Sequence, residues 1–254
     1  MALLLAAPGP SLGAGHAAGA RRLRIDFVDV GQGDAALVTS PTGKTVLIDG
    51  GPRASAEALT TFLHDHAGRG PLDLVVLTHR HADHLCGLPA AVGALGTRLF
   101  LDAQVPHPGP CYAQLMRALD AGGVAARQAT HGRTIDLGGG AVMALLGPPD
   151  PLIVGSRSDV NANSVVTRLS YGRFAVLFAG DAETPTEKWL LASGGDLRAT
   201  VLKVAHHGSR YASGARFLRA VGARIAIVSV GAGNEYGHPA GETLARLART
   251  GAAA

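Results

Sequence analysis

Four separate apolar runs of this chain end in a carboxylate or an imidazole. "TVLIDGG" closes on Asp49, "LDLVVLTHRHADH" on His79, His81, Asp83 and His84, "FAVLFAGDAE" on Asp181, and "LKVAHHGS" on His206 and His207. Short apolar runs bounded by Gly and polar residues read as strands buried on both faces. Loops at the carboxyl ends of such strands gather along one rim of a sheet, and sites are built there. Independent strands that deliver His and Asp to such a rim restrict the fold to one in which the rims meet.

The rest of the pattern fits that restriction. "LRIDFVDV", "DAALVTS" and "TVLIDGG" read as a meander, "TRLFLDA" and "ARIAIVSVG" as further strands, and residues 133–148 and 163–183 as two hairpins, the second turned at Tyr171-Gly172-Arg173. Helical spacing predicts helices over 54–67, from Asp83 and His84 to Leu95, over 111–123, 184–193 and 239–250. No linker interrupts the series, so one domain is expected over residues 21–254. Strands followed by helices in each half imply a four-layer αββα sandwich, two sheets face to face with helices outside.

With 254 residues and 47% hydrophobic content the chain can bury a sizeable core. Residues 1–20 contain no Lys, Arg, Asp or Glu and read as a disordered leader or a weak signal segment, which leaves export and cytoplasmic residence both open. No apolar run reaches the roughly 18 residues of a transmembrane helix. A net charge of +4 admits an anionic partner without requiring one. Arg210, Arg216, Arg219 and Arg224 form either a run that tracks a nucleic-acid backbone or a solvated helix face. Tyr211 and Tyr236 are the only well-placed aromatics, which argues against a dedicated single-strand binder. Cys86 and Cys111 are expected as two packed thiols, or as one disulfide if the chain is exported.

The chemistry concentrates in "THRHADH". In an extended loop His79 and His81 stand at i and i+2, so both rings point the same way and can chelate one ion. Asp83 and His84 turn toward a second position as a helix begins. Mixed nitrogen and oxygen donors suit Zn²⁺, Mn²⁺ or Fe rather than Ca²⁺ or Mg²⁺, and Asp181 could bridge two ions. His64, His66, His107 and His131 stand alone and read as structural. His238, before Pro239, is either a helix-entry residue or a neighbour of the site.

These residues resemble a known family. "THRHADH" matches the HxHxDH signature of the metallo-β-lactamase superfamily, and "AGD" after an apolar strand matches its metal-bridging Asp. Within it, "DVGQGDAALV", "VLIDGG", "NANSVVTRL", "FAGDAE" and "LKVAHHGS" resemble the soluble hydrolase domain of the ComEC DNA-uptake proteins, over residues 23–248. The resemblance implies the αββα fold, one or two divalent ions (Zn or Mn), and hydrolysis. It implies His79, His81, Asp83, His84, Asp181 and one of the His206–His207 pair as ligands. His206 is preferred, on the expectation that one of two adjacent rings must face away. Asp49 is expected to orient a ligand histidine, and Asp34, Gln32, Asn161, Asn163 and Ser164 to border the site. Many superfamily members place a further His where this chain reads "SDVNANS", so the site is expected to be oxygen-richer. ComEC is fused to transmembrane helices, so hydrolysis carries over to this chain and DNA uptake does not.

The reaction expected is hydrolysis of a phosphodiester or nucleic acid. Asp83 is expected to orient the attacking water and act as base, with His207, Lys203, Ser209 or Arg210 touching the phosphate. The same donors would also serve a carboxylic ester, a lactone, a thioester or a β-lactam. A non-catalytic, metal-stabilised binding domain is the remaining alternative. The His/Asp-rich set argues against it, since structural sites are closed and Cys-rich.

Overall fold

Short turns keep successive strands antiparallel, and an intervening helix returns the chain parallel. Both sheets follow this rule. The computed structural model describes residues 22–106 and 108–254. The expected leader over 1–20 and His107 lie outside them. The first sheet runs β1 (Arg24–Phe27), β2 (Ala36–Thr39), β3 (Thr45–Ile48), β4 (Leu74–Val76), β5 (Phe100–Asp102) and β6 (Ala126–Gln128), paired in that order. Its first three strands are antiparallel and its last four parallel. Helices α1 (Ala56–His66), α2 (Ala82–Leu85), α3 (Leu88–Leu95) and α4 (Pro110–Ala121) make the crossovers.

The second sheet is built from β7 (Thr134–Gly138), β8 (Ala141–Leu145), β9 (Thr167–Tyr171), β10 (Phe174–Phe178), β11 (Val201–Lys203) and β12 (Ile225–Ile227), in the order β12-β11-β10-β9-β8-β7. β7 to β10 are antiparallel, and β10, β11 and β12 are parallel. Helix α5 (Asp159–Ala162) precedes β9. Helices α6 (Thr184–Ala192), α7 (Ala215–Val221) and α8 (Gly241–Ala248) cover the outer face.

Alternation along the strands divides the core into three layers. Val46 and Ile48 of β3 and Val176 and Phe178 of β10 meet between the sheets. Leu47 packs outward on α1, α3 and α4 through Leu59, Leu63, Leu88 and Leu115. Leu177 packs outward on α6, α7 and α8 through Leu190, Phe217, Leu218 and Leu247. The expected αββα sandwich is thus the fold of the described residues. None of their helices is long and apolar enough to cross a membrane.

One local expectation is corrected and one left open is decided. The helix expected from Asp83 to Leu95 is broken at Cys86-Gly87 into α2 and α3. Gly87 packs directly on the Gly50 carbonyl, and its N–H donates to the Gly51 carbonyl at 2.9 Å. That contact draws the chain after β3 against the helix start. Of the two readings open for Cys86 and Cys111, the disulfide is the one observed. It ties the residue after α2 to the first turn of α4.

Candidate metal centre

The site begins with the residue that follows β3. Asp49 is buried and adopts a left-handed backbone conformation, φ 59°. Its carboxylate accepts the Thr78 N–H and the Thr78 hydroxyl, both at 2.7 Å, and faces His84 Nδ1 at 2.8 Å. Thr78 Oγ1 has spent its proton on Asp49, so it accepts from His79 Nδ1, 3.0 Å away. Asp49 thereby sets two imidazoles at once, leaving each Nε2 free to face inward. Arg80 fixes the loop from the other side. Its guanidinium donates to Asp102 at 2.8 and 3.1 Å and to the Tyr112 hydroxyl at 2.8 Å, and lies 3.5 Å over the Tyr112 ring. The His79 and His81 rings stand 4.8 Å apart, edge to face.

Asp181 arrives from the other sheet, one residue beyond Gly180. Only glycine fits that turn: φ is 53°, and a Cβ would lie 2.9 Å from Thr78 Cβ. The Asp181 N–H donates to Ser164 Oγ at 3.2 Å. Its Oδ1 lies 3.2 Å from His84 Nε2 and 3.8 Å from His207 Nε2. Its Oδ2 lies 3.5 Å from His79 Nε2 and 3.6 Å from His206 Nε2. Asp83 Oδ2 completes the ring, 3.1 Å from His207 Nε2 and 3.9 Å from His84 Nε2.

The expectation that one ring of the His206–His207 pair must face away does not hold. Both residues adopt left-handed backbone conformations, φ 51° each, in the 3₁₀ turn after β11. This turn sends both rings toward Asp181. The position beside Asp83 and His84 belongs to His207, not to the preferred His206. His207 Nδ1 faces the Ser229 carbonyl at 3.0 Å and Asp34 Oδ1 at 3.5 Å.

Four other expectations change. Lys203 is buried and cannot reach a phosphate; its ammonium donates to Asp34 at 2.7 Å and to the Val204 carbonyl at 3.2 Å. Ser209 is buried too, its N–H on the His206 carbonyl at 2.7 Å. Asn163 braces the preceding loop through Ile153 and the Asp159 carbonyl. Gln32 accepts the Gly231 N–H at 3.0 Å. Asn161 and His238 do border the centre: Asn161 Nδ2 is 3.5 Å from His206 Nδ1, and the His238 ring is 5.6 Å from the His206 ring. Glu183, which sequence reasoning passed over, is buried and faces His206 Nδ1 at 3.1 Å. Its only signal was a carboxylate two positions after Asp181.

The electrostatics are those of a charge-compensated cluster. Burial opposes charge on His84, but Asp181 and Asp49 outweigh it and hold its pKa well above the usual value. Burial likewise opposes charge on His207, yet Asp181 and Asp34 lift it to about 10. His79 is pushed well below by burial and by the neighbouring His84 charge. Burial raises Asp83 and Asp181, but His207 and His84 bring Asp83 down to about 2, and His84, His79 and His207 hold Asp181 well below its usual range.

The donor set fits a divalent metal. His79 Nε2 and Asp181 Oδ1 are buried without a hydrogen-bond partner, a costly state that a cation relieves. His79, His81 and Asp181 offer donor atoms within 4.8 Å of one another, and so do Asp34, His84 and His207. Asp34 is already engaged by Lys203 and lies on the Nδ1 side of His207, so we read it as backing the cluster. No Cys or carbonyl cage is involved, and the mixed set of imidazoles and carboxylates is one that zinc or manganese accepts.

A family model described as the metallo-beta-lactamase superfamily matches residues 28–232. The chain belongs to that superfamily. It is a metal-dependent hydrolase by membership, with His/Asp clusters able to hold one or two divalent ions. It is 27% identical to ComE operon protein 3 of Bacillus subtilis over 89% of this chain and 30% of that protein. It is 31% identical to Competence protein ComA of Neisseria gonorrhoeae over 83% of this chain and 27% of that one. The chain thus spans less than a third of the length of these relatives. Among solved structures it is similar to the metallo-β-lactamase fold protein YhfI of Bacillus subtilis, with a TM-score of 0.56, 13% identity, and coverage of 88% and 93% of the two chains.

Proposed function

We propose that the chain hydrolyses phosphodiesters, single-stranded nucleic acid among them, using two divalent ions. The observation that carries this is the Asp181 carboxylate, whose two oxygens face two separate imidazole groups: Oδ1 toward His84 and His207, Oδ2 toward His79. One ion would be held by Asp83, His84, His207 and Asp181, the other by His79, His81 and Asp181. Ions so placed supply Lewis acidity toward a phosphoryl oxygen and a water that is nucleophilic near neutral pH.

The protein's own share follows from position. The Asp83 side chain is 29% exposed, whereas His79, His84 and Asp181 are buried. Asp83 therefore stands at the mouth, beside His207, where it would orient the attacking water and take its proton. His207 has both ring nitrogens committed inward, Nδ1 to the Ser229 carbonyl and Nε2 to the cluster, so it would hold the ion and does not touch the phosphate. At the rim Tyr236, 71% exposed, stacks on His238 with ring centroids 5.9 Å apart. Arg157 lies 3.8 Å over the Tyr211 ring. These exposed rings offer a nucleobase a stacking face, and a nearby cation. The likeness to competence proteins and the positive net charge favour a phosphodiester over a carbonyl substrate. The Cys86–Cys111 disulfide suits an oxidising compartment, which favours an exported protein.

The test is cleavage of bis(p-nitrophenyl) phosphate and of labelled single-stranded DNA by metal-stripped protein. Mn²⁺, Zn²⁺ and Mg²⁺ are added back separately, with Asp181→Asn as control. Cleavage restored by metal and abolished in Asp181→Asn supports the assignment. Metal binding without cleavage of either substrate, together with turnover of a lactone, thioester or β-lactam, refutes it.

A further inference from the structure

We propose that His206 is a third imidazole donor to the ion held by His79 and His81, so that the adjacent pair His206–His207 serves both metal positions through the two oxygens of Asp181. This inference rests on the two-ion reading of the site, but not on which substrate it cleaves.

The position beside His79 and His81 gathers two imidazoles and the Asp181 carboxylate. Asn161 stands on the Nδ1 side of His206. Asn161 Nδ2 lies at the Nδ1 edge of His206, 3.5 Å away, and 3.4 Å from Glu183 Oε1, behind the His206 ring. His206 itself presents Nε2 to Asp181 Oδ2 at 3.6 Å, the same oxygen that His79 Nε2 faces at 3.5 Å. The two histidines therefore converge on one carboxylate oxygen from different sheets.

The surroundings of His206 are those of a ligand. Its Nδ1 is 3.1 Å from the buried Glu183 carboxylate, which holds the proton on Nδ1 and leaves the Nε2 lone pair directed at Asp181. The same division recurs across the cluster: His84 has Nδ1 on Asp49, His207 on the Ser229 carbonyl, and His79 on Thr78, with each Nε2 facing Asp181. Glu183 is to His206 what Asp49 is to His84.

The backbone supplies an independent argument. Two successive non-glycine residues with φ 51° are held in a conformation that L-residues rarely adopt. The turn is enforced by the His206 N–H on the Gly180 carbonyl at 3.1 Å and the Ser209 N–H on the His206 carbonyl at 2.7 Å. In extended chain, neighbouring side chains point to opposite faces. A double left-handed turn is what brings both rings to the same carboxylate, and strain of this kind persists where function requires it.

The test reads metal, not turnover. Metal-stripped protein is loaded with Mn²⁺, dialysed, and its ions per chain counted by mass spectrometry, with electron paramagnetic resonance reporting whether they are spin-coupled. The wild type should hold two ions with a coupled spectrum. His206→Ala should hold one, with the six-line spectrum of isolated Mn²⁺. Glu183→Gln, a milder change, should weaken the same ion about 10- to 100-fold and leave the other unchanged. Asn161→Ala should retain both. Retention of two coupled ions by His206→Ala, or loss of an ion from Asn161→Ala instead, overturns the assignment, as does a wild type that holds a single ion. A wild type that holds two coupled ions yet cleaves no phosphodiester sinks the proposed substrate and leaves this inference standing.

Discussion

Lys203→Met tests whether the cluster is held from behind by a buried ion pair. The Lys203 and Asp34 side chains are only 5% and 8% exposed, with Nζ and Oδ2 2.7 Å apart. Removing one partner of such a pair costs about 3–5 kcal/mol, because the other charge stays buried. Asp34 keeps a second partner in His207 Nδ1 at 3.5 Å, so the lower end, about 3 kcal/mol, is expected. In a domain of this size that corresponds to a fall in Tm of about 10 °C. Burial alone would raise the Asp34 pKa, but Lys203 and then His207 hold it well below the usual carboxylate range. Its stabilising contribution is therefore present above about pH 4 and fades as pH falls through the folded-state pKa. Without Lys203 the penalty falls on the ionised carboxylate, so the gap between variant and wild type should be widest at neutral pH and close toward acid. Urea titrations followed by the fluorescence of Trp189, the single tryptophan, give the free energies. Asp34→Asn in the Lys203→Met background should restore most of the loss. A loss below about 1 kcal/mol, the scale of a surface pair, with no pH dependence, would show that the pair does not hold the cluster.

Three further outcomes are expected. Burial lifts the Glu187 carboxyl from 4.5 to about 7, although two Gly214 N–H contacts at 3.0 and 3.2 Å oppose the shift. The folded state then keeps a proton that the unfolded chain has lost, so stability falls as pH rises through that window, by about 3 kcal/mol in full. Glu187→Gln should flatten the dependence of Tm between about pH 5 and about pH 8, and an unchanged slope would refute the assignment. Ligand imidazoles must be neutral, and in the metal-free protein His84 and His207 are held protonated. Calorimetry in buffers of differing ionisation enthalpy should therefore show at least one proton released per chain on metal loading at about pH 7, with affinity rising with pH; zero release contradicts the charge pattern. Tyr236→Ala should raise the KM for single-stranded DNA about tenfold while leaving bis(p-nitrophenyl) phosphate hydrolysis unchanged. An equal loss on both would place Tyr236 in the chemistry rather than on the rim.

What the sequence made legible was set by periodicity. Alternation and apolar runs showed the strands, and the polar residues ending those runs showed where the site lies, because Asp49, His79, Asp181 and His207 each follow a strand that points to the same rim. What stayed hidden depends on distances between elements. Lys203 closes an apolar strand at a position that reads as phosphate-binding, and only the approach of Asp34 from a segment 169 residues away shows it to be an internal counter-charge. Cys86 and Cys111 carry no spacing signature, and their pairing follows from α4 packing beside α2. The break at Gly87 comes from its contact with Gly50, a partner no helix pattern can register.

The histidine pair is the most instructive case, because the reasoning failed there through a sound local rule. Neighbours in an extended chain do point apart, so one of two adjacent histidines looked dispensable. The rule fails when both residues turn left-handed, and nothing in "VAHHGS" announces that turn. The neighbouring carboxylate was nonetheless written in the sequence. In "DGG" and in "AGDAE" the cluster's acids stand beside glycines that let other residues come close, Leu88 at Gly50 and Thr78 and Ser164 at Gly180. Each loop also carries an acid that sets a histidine's Nδ1, Asp49 for His84 and Glu183 for His206. Orienting carboxylates thus accompany histidines in both halves of the fold. A buried Glu two positions beyond Asp181 is reason enough to look for the imidazole that it orients.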